Sequence, residues 1–161
     1  MDILKEVELL LSNNNLNIIS KDIERPWGGF YVLDESQAQS FASLFFNNLD
    51  VSKLSLSGKL SPKILVIKPN KRLSWQYHYR RSEIWSVIKG SIKVIKSDDD
   101  IEKKLINIKA GEQIEIAKEE RHRIIGTDKH ALVAEIWIHT DKDNPSDEED
   151  IVRVQDDFDR K

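Results

Sequence analysis

Residues 73–85 read LSWQYHYRRSEIW, and the rest of the chain is best understood outward from them. Alternate residues of a β-strand share a face, so Gln76 and His78 point the same way. Glu83 opens the next strand after a tight turn, and antiparallel pairing brings it back opposite them. Gly90 ends that strand. The spacing is Gln-x-His, four residues, Glu, six residues, Gly.

A second block lies downstream. Gly111 is followed after five residues by Ala117, His122 stands five positions beyond, and Gly126 four further on. A histidine on a neighbouring strand can supply a fourth ligand from across a barrel. One amide oxygen, two imidazoles and one carboxylate form an N/O donor set that leaves open positions on a five- or six-coordinate cation. That set suits Zn²⁺, Mn²⁺, Fe²⁺, Co²⁺ or Ni²⁺ without choosing among them.

Around this core the texture is that of short strands. Runs rich in Ile, Val, Trp and Tyr cover 64–68, 73–79, 83–88, 92–96, 105–108, 113–116, 121–125 and 132–138, with breaks at Pro69-Asn70, Lys89-Gly90, 97–100 and Ala110-Gly111. Closely spaced strands with no long helix between them predict an all-β antiparallel sandwich or barrel. Residues 2–11 place Ile3, Val7, Leu10 and Leu11 at helical spacing, which predicts a short amphipathic helix in an extension over 1–22. Pro26 and Gly28-Gly29 precede a strand over 30–33. Within an insertion at 35–62, Phe41, Leu44, Phe45 and Leu49 can form one helical face, and 52–61 reads as loop. The acidic stretch 141–150 reads as loop, 151–154 as an edge strand, and the C-terminal residues are expected to fray.

Composition narrows the classes. A net charge of −3 with interspersed signs gives no sign of a nucleic-acid partner. No stretch approaches the roughly 20 apolar residues that span a bilayer. The absence of Cys excludes disulfides and thiolate ligands. The N-terminus lacks the basic start and small-residue cleavage site of a secretory signal, so a cytoplasmic location is the default expectation.

The two blocks resemble the cupin pattern G-x5-H-x-H-x3/4-E-x6-G then G-x5-P-x-G-x2-H-x3-N, with Gln76 for the first His, Ala117 for the Pro, Glu119 for the second Gly and Gly126 for the Asn. Within cupins, the chain is most similar to the C-terminal domain of type II mannose-6-phosphate isomerases. The resemblance rests on RPWGGF at 25–30, VIKPNKRLSWQYHYRRSEIW at 66–85, Gly111-Glu112, His122-Arg123, Glu135, EEDIVR at 148–153 and DDFDR at 156–160. Asn70, Trp75 and Arg80 depart from the usual Gly, Leu and His. The resemblance implies a cupin double-stranded β-helix over 23–161, a divalent metal on Gln76, His78, Glu83 and His122, and a small sugar phosphate as partner. It also implies a homodimer.

Glu135 and Trp137 share a strand face with Ala131 and Val133. If that face lines the barrel, Glu135 is a candidate general base; otherwise it is an exposed carboxylate or a salt-bridge partner. Lys68, Arg72, Arg81 and Arg123 lie near the ligands in sequence, and one or two of them could hold a phosphate, Arg81 and Arg123 being raised by the motif match. Lys68 and Arg81 also stand as candidate catalytic cations. Trp85 shares the ligand face with Glu83 and is the aromatic placed to touch a ligand. His130 and His139 match no pattern and are expected at the surface. The expected activity is metal-dependent aldose–ketose isomerisation, mannose 6-phosphate to fructose 6-phosphate. The alternatives are a non-catalytic sugar- or nucleotide-sugar-binding cupin, and an isomerase or epimerase of another sugar phosphate.

Overall fold

A computed structural model describes residues 2–55 and 58–160 of the protein. It contains eleven strands: β1 (Ile18–Arg25), β2 (Gly28–Leu33), β3 (Lys63–Ile67), β4 (Trp75–Tyr77), β5 (Arg81–Lys89), β6 (Ser91–Ser97), β7 (Ile106–Lys109), β8 (Gln113–Ile116), β9 (Arg121–Gly126), β10 (Ala131–His139) and β11 (Val152–Gln155). Two helices, α1 (Ile3–Asn13) and α2 (Ala38–Phe45), complete it. The strands form two antiparallel sheets, ordered β1-β2-β3-β10-β5-β8 and β11-β4-β9-β6-β7. This is the all-β cupin architecture.

The middle strands of the six-stranded sheet, β3, β10 and β5, are buried on both faces, which explains their apolar runs. Every residue of β3 is buried, as is every residue of β10 except Ile138. On the barrel side, Leu65, Ile67, Ala131 and Val133 meet Trp85, Val87, Val94 and Ile124. On the outer side, Ile64, Val66, Leu132, Ala134 and Ile136 meet Val7, Leu11, Phe41 and Ala42 from the two helices. The helices are therefore the cover that keeps the outer face dry. Asp2 caps α1 by accepting from the Leu4 N–H at 3.1 Å. No helix among the described residues is long and apolar enough to cross a membrane.

Several sequence expectations need correction. The strand β1 was hidden because its outward side chains, Ser20, Lys21 and Glu24, make IISKDIER look like loop. The insertion does carry a helix, but its buried face is Ala38, Phe41 and Ala42; Leu44 is 43% exposed and Leu49 lies beyond the helix end. The strand expected over 73–79 keeps regular pairing only at Trp75–Tyr77. The C-terminal turn is anchored, with Phe158 packed against the barrel core and Arg160 bonded to Asp156 at 2.7 and 3.0 Å. Part of the loop expected over 52–61, namely Leu56 and Ser57, lies outside the described residues.

The departures from the motif keep its backbone. Gly28 adopts φ 143° where a Cβ would stand 1.8 Å from the Val66 carbonyl oxygen, so β2 can approach β3 only with glycine there. Asn70 stands where Gly is usual and adopts φ 59°, which asparagine tolerates. Glu119, at the second Gly position, adopts φ 63°. Its side chain is exposed, so nothing offsets the left-handed strain of about 1–2 kcal/mol. Glu119→Gly is expected to stabilise the fold by roughly 0.5–1 kcal/mol after the glycine entropy penalty, seen as a Tm rise of about 2–3 °C. A lower Tm would mean that the strain is already relieved.

Candidate metal centre and active site

The cluster forms where β4, β5 and β9 face one another. Gln76 on β4 pairs in register with His122 on β9, and both side chains point inward. His78 follows two residues after Gln76, and Glu83 comes back on β5. His78 Nε2 stands 3.2 Å from His122 Nε2 and 3.4 Å from Glu83 Oε1, and His122 Nε2 stands 3.9 Å from Glu83 Oε2. All three residues are buried.

The tautomers decide what this cluster can do. His78 Nδ1 lies 2.7 Å from the Asp150 carbonyl oxygen, and His122 Nδ1 lies 2.8 Å from the Glu120 carbonyl oxygen. Carbonyls only accept, so both Nδ1 atoms carry the proton and both Nε2 atoms present lone pairs to the same point. Burial holds both imidazoles below their ordinary range, His78 at about 3, which keeps them neutral. Two nitrogens about 2.1 Å from one cation lie roughly 3.0–3.4 Å apart at square or tetrahedral angles, and the observed separation falls inside that window. Backbone carbonyls orienting the far ring nitrogens are the usual support of metal-bound imidazole. The donor set fits a divalent cation. The Gln76 amide nitrogen stands 3.4 Å from His78 Nε2, and its oxygen accepts from Ser74 Oγ at 2.5 Å. Exchanging the amide's ends would offer oxygen to the cluster while Ser74 Oγ accepts from nitrogen.

Arg81 flanks the cluster. Its Nε donates to Glu83 Oε1 at 2.8 Å, Nη1 donates to Ser146 Oγ at 2.8 Å and the Asp147 carbonyl at 3.0 Å, and Nη2 donates to His78 Nε2 at 3.2 Å. Burial alone would raise the Glu83 carboxyl, but the charge and hydrogen bond of Arg81 lead the effects that outweigh it and hold the group at about 2.

Glu135 lies on the inward face of β10, 6% exposed, and so falls on the barrel side of the two readings open to it. Trp137 Nε1 donates to its Oε1 at 2.7 Å. Trp85 Nε1 reaches its Oε2 at 3.1 Å and Glu83 Oε2 at 3.0 Å, so one indole N–H bridges the two carboxyl groups. Burial, then the neighbouring Glu83, push Glu135 up to about 8. Opposite it in register stands Lys63 of β3. This lysine is 4% exposed, lies 3.3 Å over the Trp137 ring, and faces Glu148 at 3.8 Å. Burial drives its ammonium below the ordinary lysine value.

Of the sequence candidates, Gln76, Arg81, Glu83, Trp85, His122, Arg123 and Glu135 line one cavity, and His78 adjoins it. Lys68 is exposed at the far end of β3, and Arg72 is half-buried and bonded to Asp157 at 2.6 and 2.8 Å. Arg123 is buried, with its guanidinium committed to the Leu73 carbonyl, Glu102 and Gln155. His139, expected at the surface, is 2% exposed; it accepts from the Ser146 N–H at 2.9 Å and donates from Nε2 to Ser61 Oγ at 3.1 Å. Lys63 was missed because a lysine opening a strand looks solvated. Its parity with Leu65 and Ile67 was the available signal.

A family model described as mannose-6-phosphate isomerase C-terminal matches residues 46–156. The chain belongs to this family. Over 95 residues it is 28% identical to mannose-1-phosphate guanylyltransferase 2 of Escherichia coli O157:H7, covering 58% of this chain and 15% of that protein's length. Among solved structures, the oxalate decarboxylase of Lactobacillus farciminis in a formate complex is similar, with TM-score 0.55 and 17% identity over 88% of this chain and 34% of that one. Vicilin from Corylus avellana gives TM-score 0.57 at 14% identity, over 87% and 36%. These two likenesses establish the cupin fold of the family member.

Proposed function

We propose that the protein is a metal-dependent aldose–ketose isomerase of a phosphorylated hexose, with mannose 6-phosphate and fructose 6-phosphate as the pair. The observation that carries this reading is the single indole N–H of Trp85 joining Glu83 of the cation cluster to Glu135. This contact supports reading Glu135 as a proton-transfer group working beside a Lewis-acid site. His78, Glu83, His122 and Gln76 would hold the divalent ion, which supplies polarisation of the neighbouring sugar oxygens. Isomerisation requires a proton to leave the carbon beside a carbonyl and return at the next carbon. Glu135, with a pKa near neutrality, is suited to taking and returning that proton. Trp85 and Trp137 fix its carboxyl group, and their rings exclude water. Lys63 faces it across the strand pair as a cation for developing negative charge.

A second reading is a barrel that binds a sugar phosphate without converting it. The cavity is about 90 Å³, below the roughly 300–1,000 Å³ of ordinary ligand pockets, so substrate entry requires its walls to move. A coupled assay of mannose 6-phosphate with Mn²⁺-, Zn²⁺- or Co²⁺-loaded protein separates the two. Formation of fructose 6-phosphate is expected, and binding without turnover under all three metals would refute the isomerase.

A further inference from the structure

Asp150 belongs to the EEDIVR stretch at 148–153, and no ligand or proton-transfer role falls to it. It is nevertheless 4% exposed, and a carboxylate is kept from water only where hydrogen bonds replace its hydration. Its place follows from the register of an edge strand. β11 pairs antiparallel with β4, Val152 opposite Tyr77 and Arg153 opposite Gln76, so the chain entering β11 runs back along the residues that leave β4. Asp150 thereby meets residues 78–80.

One residue bonds to three consecutive ones. The Asp150 carbonyl accepts from His78 Nδ1 at 2.7 Å, Oδ1 accepts from the Tyr79 N–H at 2.9 Å, and Oδ2 accepts from the Arg80 N–H at 3.0 Å. Oδ2 also accepts from Ser146 Oγ at 2.6 Å. Ser146 Oγ in turn accepts from Arg81 Nη1 at 2.8 Å, and Arg81 Nε holds Glu83 Oε1 at 2.8 Å. The connection from β4 to β5, which starts at His78 and leads to Glu83, is therefore gripped from outside by a single residue. Asp150 is itself seated by a turn, its N–H reaching the Asp147 carbonyl at 3.2 Å and Asp147 Oδ1 at 3.1 Å. His122 is oriented from elsewhere, by the Glu120 carbonyl.

We propose that Asp150 is the positioning residue of the cation site: its carboxylate clamps the backbone after His78, its carbonyl sets the His78 ring, and Ser146 and Arg81 carry the constraint to Glu83. This role rests on the cation-site reading and on no choice of substrate. Two acceptor oxygens are what the clamp requires. An amide at position 150 can offer oxygen to only one of the two backbone N–H groups and turns its NH₂ against the other. Asp150→Asn therefore breaks the clamp with hardly a change in volume.

The test reads ion affinity and the imidazole protons, with no need of turnover. Chelator-stripped wild type, Asp150→Asn and Ser146→Ala are titrated with Mn²⁺ and Zn²⁺ by calorimetry, and their ring N–H signals are followed by ¹H–¹⁵N NMR before metal is added. Asp150→Asn is expected to bind either ion about 10–100-fold more weakly, the usual loss when a metal-bound imidazole loses its support. Its His78 Nδ1–H signal is expected to shift and exchange faster while the His122 signal stays in place. Ser146→Ala removes only the route to Glu83 and is expected to weaken binding about three- to tenfold. Thermal unfolding of the metal-free proteins checks that each variant folds. A general loosening would move both imidazole signals together, and that result in Asp150→Asn would overturn the positioning role. So would wild-type affinity with an unmoved His78 signal in the folded variant. If Asp150→Asn does not fold, Ser146→Ala decides, and wild-type affinity there overturns the role. If wild type itself binds no ion, the cation-site reading fails, and the His78 signal of the metal-free variant still decides whether Asp150 holds that ring.

Discussion

Glu135→Gln is expected to lower the isomerisation rate by about 10²–10⁴-fold while leaving fold and cation binding in place. Gln fills the same volume and keeps an oxygen to accept from Trp137, whose Nε1 donates at 2.7 Å, so the site's shape survives. What disappears is the ability to take up and return a proton. The substitution also has a signature in stability. The Glu135 carboxyl is raised from 4.5 to about 8, so the folded state holds this proton more tightly than the unfolded state does. Its contribution is fully present below pH 4.5 and is lost as pH rises through about 8. Relative to Glu135→Gln, metal-free wild type therefore loses stability across that window, the buried histidines contributing alike to both, and above it the variant is the more stable. Parallel denaturation curves for the two from pH 5 to 9 would mean that Glu135 is ionised throughout and is not the proton carrier.

A second large effect is expected at Glu83. Its pairing with Arg81 is buried on both sides, with the Nε–Oε1 distance 2.8 Å. Glu83→Ala leaves a guanidinium in the interior with no carboxylate bonded to it, held by Ser146, the Asp147 carbonyl, His78 and the Trp137 ring. Breaking such a pair from one side costs about 3–5 kcal/mol, and that loss should be read by chemical denaturation of the metal-free protein. Glu83→Gln keeps an oxygen for Arg81 and is expected to cost less while still removing the anionic ligand. A loss under about 1 kcal/mol for Glu83→Ala would show that Arg81 is held by its other partners and that Glu83 is dispensable to the fold.

The legible parts of this molecule are those governed by local parity. Gln76 and His78 share a face by alternation, and His122 follows from the spacing of the second block; Glu83, expected on a strand paired with theirs, instead faces them across the barrel from the other sheet. The barrel strands from Lys63 to His139 were equally readable because most are bounded by Gly, Pro or Asp turns. The parts set by long-range packing were not. Lys63 is buried because β3 lies between β2 and β10; its parity with Leu65 and Ile67 hinted at the inward face, but the sheet order that covers it is not local. His139 is buried because Ser61 and Ser146 close over it from distant loops. Arg25, Arg153 and Arg160 reach the cavity wall from opposite ends of the chain, and only the barrel's closure brings them together. Conversely, Lys68 and Arg72 are near the ligands in sequence, but Lys68 is directed to the opposite barrel end and Arg72 to solvent and Asp157.

The central claim is that His78, Glu83 and His122, with Gln76 beside them, grip one divalent cation. Calorimetric titration of chelator-stripped protein with Mn²⁺, Zn²⁺ and Co²⁺, beside elemental analysis of the protein as purified, tests it most directly. The account predicts one ion per chain for wild type and at least about a hundredfold weaker binding in His122→Ala and His78→Ala. No saturable binding by wild type, or binding that both alanine variants retain, would contradict it.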